Sequence, residues 1–356
     1  MSALPIGGVA PASARLSLHG TLGLGLLLLV VSLGVAAASG AYAIGPAQLW
    51  GVLSSPFQDA AQASPEHLVF MNIRLPRLVL GVAAGAGLGM SGAIMQGLFR
   101  NPLADPGLIG ISSGAALAAG ITIVLGAWLM PALPRTLGSW TLVSMAFGGG
   151  LLVSALTYGL SRTEGGARVA LMLLAGIAIN ALAGAGLGLL SVMATDEQLR
   201  SLQFWLLGSL GGARWSAVML VGAAVALSLV AGMGLARPLN AIALGESQAA
   251  LLGVDVQRIT RRAVLVTAVA VGAVTATTGI IGFIGLIAPH AVRMLAGPDH
   301  RIVLPASALV GAALVLAADT LARTVMAPVE LPLGVLTAFL GVPMFLFLLR
   351  RFRGRI

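Results

Sequence analysis

Apolar residues in this chain do not alternate with polar ones; they come in long runs separated by short polar breaks. A bilayer core of about 30 Å needs about 20 apolar residues in a helix, and most runs reach that length. On that ruler ten spans are expected, near residues 17–38, 76–98, 108–130, 140–161, 169–193, 213–235, 262–279, 281–296, 303–325 and 332–350. The seventh and eighth share one apolar stretch, in which Thr277-Thr278-Gly279 offers the only turn. Residues 74–110, RLPRLVLGVAAGAGLGMSGAIMQGLFRNPLADPGLIG, are the most informative segment. An Arg-Leu-Pro-Arg mouth opens a body studded with small residues, and Asn-Pro and Asp-Pro turns close it. Small residues let helices approach closely in lipid, so this helix belongs inside a bundle.

Composition narrows the class. Of 356 residues, 58% are hydrophobic and 9% charged, and the mean hydropathy is +1.02. A soluble domain of this size has no way to hide so much apolar surface, which leaves an all-α polytopic membrane protein. The 48 glycines and 17 prolines suit membrane helices, and no ten-residue alternation suggests a barrel. Cysteine is absent, so disulfides, thiolate metal sites and cysteine nucleophiles are excluded. All 20 basic residues are arginines spread over loops, which reads as topology signalling rather than nucleic-acid binding. The 17–38 run, ending in Ala36–Ala38, is long for a cleaved signal peptide and is followed by further spans, which favours a retained first helix.

With the N-terminus inside, Arg15, Arg100, Arg162, Arg168, Arg237, Arg258, Arg261, Arg262, Arg293, Arg301, Arg350, Arg351, Arg353 and Arg355 fall on the cytoplasmic side. Arg74, Arg77, Arg135, Arg200, Arg214 and Arg323 fall outside. That inside excess is consistent with ten spans and two cytoplasmic termini. The division is a tail at 1–16, one ten-helix transmembrane domain at 17–350 and a tail at 351–356. The 236–261 connection is amphipathic, with Leu244, Ala249, Leu252 and Val256 at helical spacing and glycines at 245 and 253, as for two short helices on the membrane face. Segment 195–212 reads as a short surface helix capped by Thr195 or Asp196.

Chemical motifs are missing: there is no HExxH, GxSxG or Walker A loop, so no enzyme is expected and any ATP hydrolysis belongs to a partner. An ion-coupled carrier, the different-class alternative, usually keeps ionisable residues at mid-membrane. Here the nearest, Asp319, sits toward an outer end and four residues before Arg323, a spacing that suits a local ion pair. The loops at 100–106 and 236–261 read either as a pore-closing turn with a docking platform or as ordinary turn chemistry.

Six ordered motifs carry a resemblance. RLPR, SGAIMQGLFRNPLADPGLIG, ALGESQAALLG, GFIGLIAPHAVR, GPDHR and ELPLGVLTAFLGVP are similar to the permease of BtuC-like type II ABC importers for iron-siderophores, haem and vitamin B12, over roughly residues 20–350. The resemblance implies an inner-membrane homodimer of ten helices per subunit, two ATP-binding cassette ATPases inside, and a periplasmic binding protein outside. It assigns Arg74, Arg77 and Arg323 to docking the binding protein, where guanidinium forks suit carboxylates. It places Asn101 and Leu103 at the cytoplasmic gate, and Gly245, Glu246, Ala249 and Gly253 in the ATPase-coupling helices. Asn180 falls in a path-lining helix, although a buried interhelical hydrogen bond accounts for it equally well. No cofactor is expected on this chain; ATP and magnesium belong to the ATPase.

Segments ATDEQLRSLQFWLLGSLGG and FRNPLADPGLIGISSG look closest to the haem-importing branch, with a ferric siderophore or cobalamin as alternatives. His19, His67, His290 and His300 invite a proposal of axial haem ligation. Structural roles are preferred, because tight ligation would hinder release from a channel.

Overall fold

The computed structural model describes residues 16–40, 42, 44–54, 64–129, 132, 138, 140–163 and 166–352. The 1–16 tail, except Leu16, and the arginines at 15, 135, 353 and 355 lie outside the described residues. The described residues are mostly helical. Its helices are α1 (Leu18–Ala38), α2 (Pro46–Ser54), α3 (Pro65–Val69), α4 (Leu75–Leu98), α5 (Ile111–Leu129), α6 (Trp140–Leu160), α7 (Val169–Met193) and α8 (Asp196–Leu207). After these come α9 (Trp215–Met233), α10 (Ala236–Ala243), α11 (Glu246–Leu251), α12 (Val256–Thr278), α13 (Ile284–Ala296), α14 (His300–Thr324) and α15 (Leu333–Phe352). A two-residue hairpin pairs Arg162–Thr163 with Gly166–Ala167.

Each expected span meets a helix, and among the described residues eight helical stretches are long and apolar enough to cross a bilayer. The remaining two expected segments are shorter: α13, and the apolar Leu333–Leu346 part of α15. Thirteen helical residues rise roughly 20 Å, less than the roughly 30 Å of a hydrocarbon core. The expected turn at Thr277-Thr278-Gly279 is real: α12 ends at Thr278, and Gly279 adopts φ 71°.

The second span begins earlier than the sequence suggests. Pro76 reads as a helix start, yet the helix runs unbroken from Pro65 to Leu98. A prolyl nitrogen has no hydrogen to give the preceding turn. The backbone widens into one π turn, Phe70–Arg74, and Leu75 N–H donates to Phe70 O.

α4 is buried along most of its length and is the axis of the fold, with α14, α9, α12 and α13 around it. Close approach replaces bulk at its main contact. A Cβ on Gly85 would lie 2.3 Å from Gly311 O, and one on Gly89 would lie 2.1 Å from Ser307 O. In lipid there is little hydrophobic gain between helices, so backbone proximity and dispersion hold such a pair. α5, α6 and α7 form a second group on the flank. α7 keeps little buried and turns Leu174, Ile177, Leu182, Leu189 and Val192 outward.

The short helices follow local rules. α8 begins with a capping box: Thr195 Oγ1 accepts from Gln198 N–H, and Gln198 Oε1 accepts from Thr195 N–H. That is one of the two caps the sequence offered.

Candidate functional site

Under the arginine-bias orientation, the end of the bundle holding Arg74, Arg77 and Arg323 is outer. The end holding residues 100–106 and 236–261 is inner.

At the outer end the three arginines are buried, with 5%, 9% and 9% of their surface exposed. Arg77 Nε and Nη2 donate to the Asp319 carboxylate at 3.1 and 2.9 Å. Its Nη1 and Nη2 each donate to Glu330 at 2.9 Å. Arg323 Nε lies 3.1 Å from Asp319 Oδ2, the local ion pair expected from their spacing. Asp319 thus sits between two guanidinium groups. Arg323 also donates to the carbonyls of Ser39 and Ala36 at 3.1 and 3.2 Å. Arg74 donates to Ala37 O at 2.6 Å and to the carbonyl of Tyr42. The last carbonyls of a helix have no partner within it, and cations there also suit its dipole. Arg74 and Arg323 therefore close the end of α1 from two sides.

Gly40 bends the chain between them at φ 150°, and a Cβ there would meet Arg74 Nη2 at 2.9 Å. The arginines point inward and do not stand as three exposed forks. Glu330 opens the network to solvent, its side chain 46% exposed, and Arg77 holds its carboxyl below the usual carboxylate range.

At the inner end the chain leaves α4 through Arg100, at φ 50°. Asn101 Oδ1 accepts from Leu103 N–H at 2.9 Å, a local Asx turn. Asp105 caps the next turn by accepting from Gly107 N–H at 2.7 Å, and burial pushes its carboxyl up. Asn101 is exposed and Leu103 half-buried. Asn180, on α7, ties this turn to the bundle: its Nδ2 donates to Gly107 O at 3.2 Å, and Ser113 Oγ donates to its Oδ1 at 2.5 Å. The hydrogen-bonding role for Asn180 is thus present in the structure.

The 236–261 connection does form two short helices, α10 and α11. Gly245 (φ 121°) and Gly253 (φ 80°) bracket α11 with conformations that side chains resist. The apolar face differs from the expected one. Ala249 is fully buried, whereas Leu244, Leu251 and Leu252 are 69%, 82% and 65% exposed, beside exposed Glu246. α10 is rooted in the bundle: Asn240 Nδ2 donates to Asp299 Oδ1 at 2.7 Å, and His300 N–H donates to Asn240 Oδ1 at 2.9 Å.

The four histidines are scattered: His19 is exposed at the start of α1, while His67, His290 and His300 are buried. No cluster of metal-binding side chains exists among the described residues. Reading the sequence missed the partners Arg77–Asp319 and Arg77–Glu330, the Asn240–Asp299 clamp and the outward leucines of α11. The motifs ELPLGV and GPDHR contained Glu330 and Asp299, and only the fold says what they touch.

This arrangement, with the profile of the FecCD transport family matching residues 26–351, decides the family. The chain belongs to the FecCD transport family. It is 46% identical over 315 residues to the hemin transport system permease of Yersinia pestis, covering 87% of this chain and 92% of that one. It is 38% identical over 297 residues to the cobalamin import system permease of Halobacterium salinarum, covering 83% and 77%. A solved metal-chelate type ABC transporter in an inward-facing conformation superimposes with a TM-score of 0.80 at 30% identity, covering 93% of this chain and 98% of the other. The chain is a multi-pass inner-membrane permease of a type II ABC importer.

Proposed function

We propose that this permease carries haem from periplasm to cytoplasm as a homodimer, driven by two ATPase subunits and supplied by a periplasmic haem-binding protein. The observation that carries the haem reading is the 46% identity to a hemin permease across nearly the full chain. A ferric siderophore or cobalamin is the second reading, favoured by the cobalamin permease at 38% identity and the metal-chelate transporter.

The binding protein docks on the outer rim above Arg74, Arg77 and Arg323. Because Glu330 already occupies the Arg77 fork, an incoming acidic residue reaches it by displacing that carboxylate. At the inner end Asn101 and Leu103 close the path. The ATPase seats on α11, where Glu246, Leu251 and Leu252 face outward and Ala249, Gly245 and Gly253 set the helix in place. α7, with its outward apolar face, supplies surface for the second subunit.

The test is uptake into proteoliposomes holding the permease, its ATPase and its binding protein. ATP-dependent haem accumulation is expected, with absorbance titration of the binding protein showing haem affinity. Accumulation driven by a proton gradient without the ATPase would instead favour an ion-coupled carrier.

A further inference from the structure

Two adjoining hollows lie between α6 and α12 at the inner end. The first, about 290 Å³, is polar and lined by Tyr158, Arg162, Asp255, Gln257, Arg258 and Arg261. The second, about 360 Å³, is almost wholly apolar, with Leu151, Ala155 and Leu265 among its lining. Tyr158 and Arg261 line both, so the two join as one groove. Joined, they are the size of a ligand site rather than a packing void.

The groove is graded along the two helices that line it. From Tyr158 back to Leu151, and from Arg261 on to Ala268, each helix recedes seven residues, roughly 10 Å, from a charged mouth into apolar depth. Ser154, Val264 and Ala268 are buried and form its floor, while Ala155 and Leu265 are exposed along its walls. Small side chains at 154, 155 and 268 keep it open. Arg162, Arg258 and Arg261 are exposed at the mouth. Asp255 pairs with Arg258 at 3.4 Å, so among the described lining residues three guanidinium groups face one carboxylate, an excess of two positive charges.

We infer that this groove binds an anionic phospholipid, its acyl chain between α6 and α12 and its phosphate on Arg162 and Arg261. Guanidinium forks match phosphate oxygens, and basic pockets between helices on the cytoplasmic side suit anionic head groups. Tyr158 stands where an amphipathic ring belongs, at the boundary of the two regions. A soluble ATPase surface would answer the charges but leave the apolar depth unfilled; a lipid answers both.

The full-length permease, stripped of lipid in a neutral detergent, is offered phosphatidylglycerol or phosphatidylcholine, and retained lipid is counted by native mass spectrometry. Phosphatidylglycerol is retained preferentially, and each of Arg162→Gln and Arg261→Gln lowers its retention about five-fold while leaving phosphatidylcholine unchanged. Ala155→Trp, which fills the apolar half without touching a charge, lowers retention of both lipids. Equal retention of the two lipids by the unaltered protein overturns the proposal, as does unchanged retention in Ala155→Trp. Competition by millimolar inorganic phosphate would reduce the site to an anion site and overturn it too. So would displacement of the lipid when the cognate ATPase assembles. Should an arginine variant fail to fold, Ala155→Trp and the lipid comparison decide alone.

Discussion

Arg77 of α4 and Asp319 of α14, 242 positions apart, meet fork to carboxylate at 2.9 and 3.1 Å. They pin the outer ends of two helices whose backbones approach closely at Gly85 and Gly311 and at Gly89 and Ser307. α14 is thus fastened at both ends: Asp299 and His300 hold Asn240 of α10 at its start, and Asp319 and Arg323 hold Arg77 and the end of α1 near its finish.

Removing Asp319 leaves two buried guanidinium groups without their shared counter-charge. Breaking one side of a buried pair costs about 3–5 kcal/mol. Asp319→Ala is therefore expected to lower the unfolding temperature sharply in detergent. Glu330→Gln, at a half-exposed position, is expected to cost less than about 1 kcal/mol. Equal thermal shifts for the two variants would contradict a shared burial of charge at Asp319.

Glu330→Gln has a second consequence if docking proceeds by carboxylate exchange at Arg77. Freeing the fork favours the incoming acidic residue, so the binding protein should dock about two- to ten-fold more tightly. Arg77→Glu should abolish docking. Surface plasmon resonance on nanodisc-held permease measures both; weaker docking by Glu330→Gln would rule the exchange out.

What the sequence disclosed and what it hid divide along physical lines. Spans follow from hydropathy, and the α8 cap from Thr195 and Gln198 three residues apart, because both are local properties. Arg77–Asp319 is a tertiary contact with no trace in spacing. α4 starts at Leu75, one residue from the expected 76, but the sequence did not disclose that a π turn joins it to α3 in one continuous helix. Of the face expected around α11, Ala249 turns inward but Leu244 and Leu252 stay exposed, because the seven residues between Gly245 and Gly253 fit more than one helical phase and packing decides among them.

That inward turn separates two substitutions on one short helix. Ala249→Leu overpacks a fully buried site and should cost about 1–3 kcal/mol in stability. Leu251→Ser with Leu252→Ser changes exposed positions, so stability should move by less than about 0.5 kcal/mol each. ATPase co-purification should fall nonetheless. Retained co-purification in the double variant would move the coupling contact elsewhere.

Acidification should separate two carboxylates outside the spans. Arg301 and Asn240 hold Asp299 below its ordinary range, whereas burial pushes Asp105 up, with Gly107 N–H opposing. A depressed carboxyl contributes stability above its unfolded pKa near 4, lost as pH falls through the folded value. A raised one detracts above its unfolded pKa and is relieved on protonation. Asp299→Asn should therefore be less stable than the parent at pH 7 and converge with it in acid. Asp105→Asn should be no less stable at pH 7 and should lose any relative advantage on acidification. Thermal scans from about pH 3 to 7 provide the comparison.

Asn180 offers the sharpest separation of a structural from a transporting role. Its two hydrogen bonds, to Gly107 O and from Ser113 Oγ, join α7 to the turn that leads from the proposed gate into α5. Asn180→Ala removes both, while Gly107 O keeps Gly110 N–H at 3.0 Å and Ser113 Oγ keeps Gly110 O at 3.1 Å, so the cost is about 0.5–1.5 kcal/mol per bond lost. A loosened turn beneath the path should also raise passive leak of a small dye from proteoliposomes without ATP. Were Asn180 instead a contact for passing substrate, the variant would keep its thermal stability and its seal, and only the concentration dependence of uptake would shift.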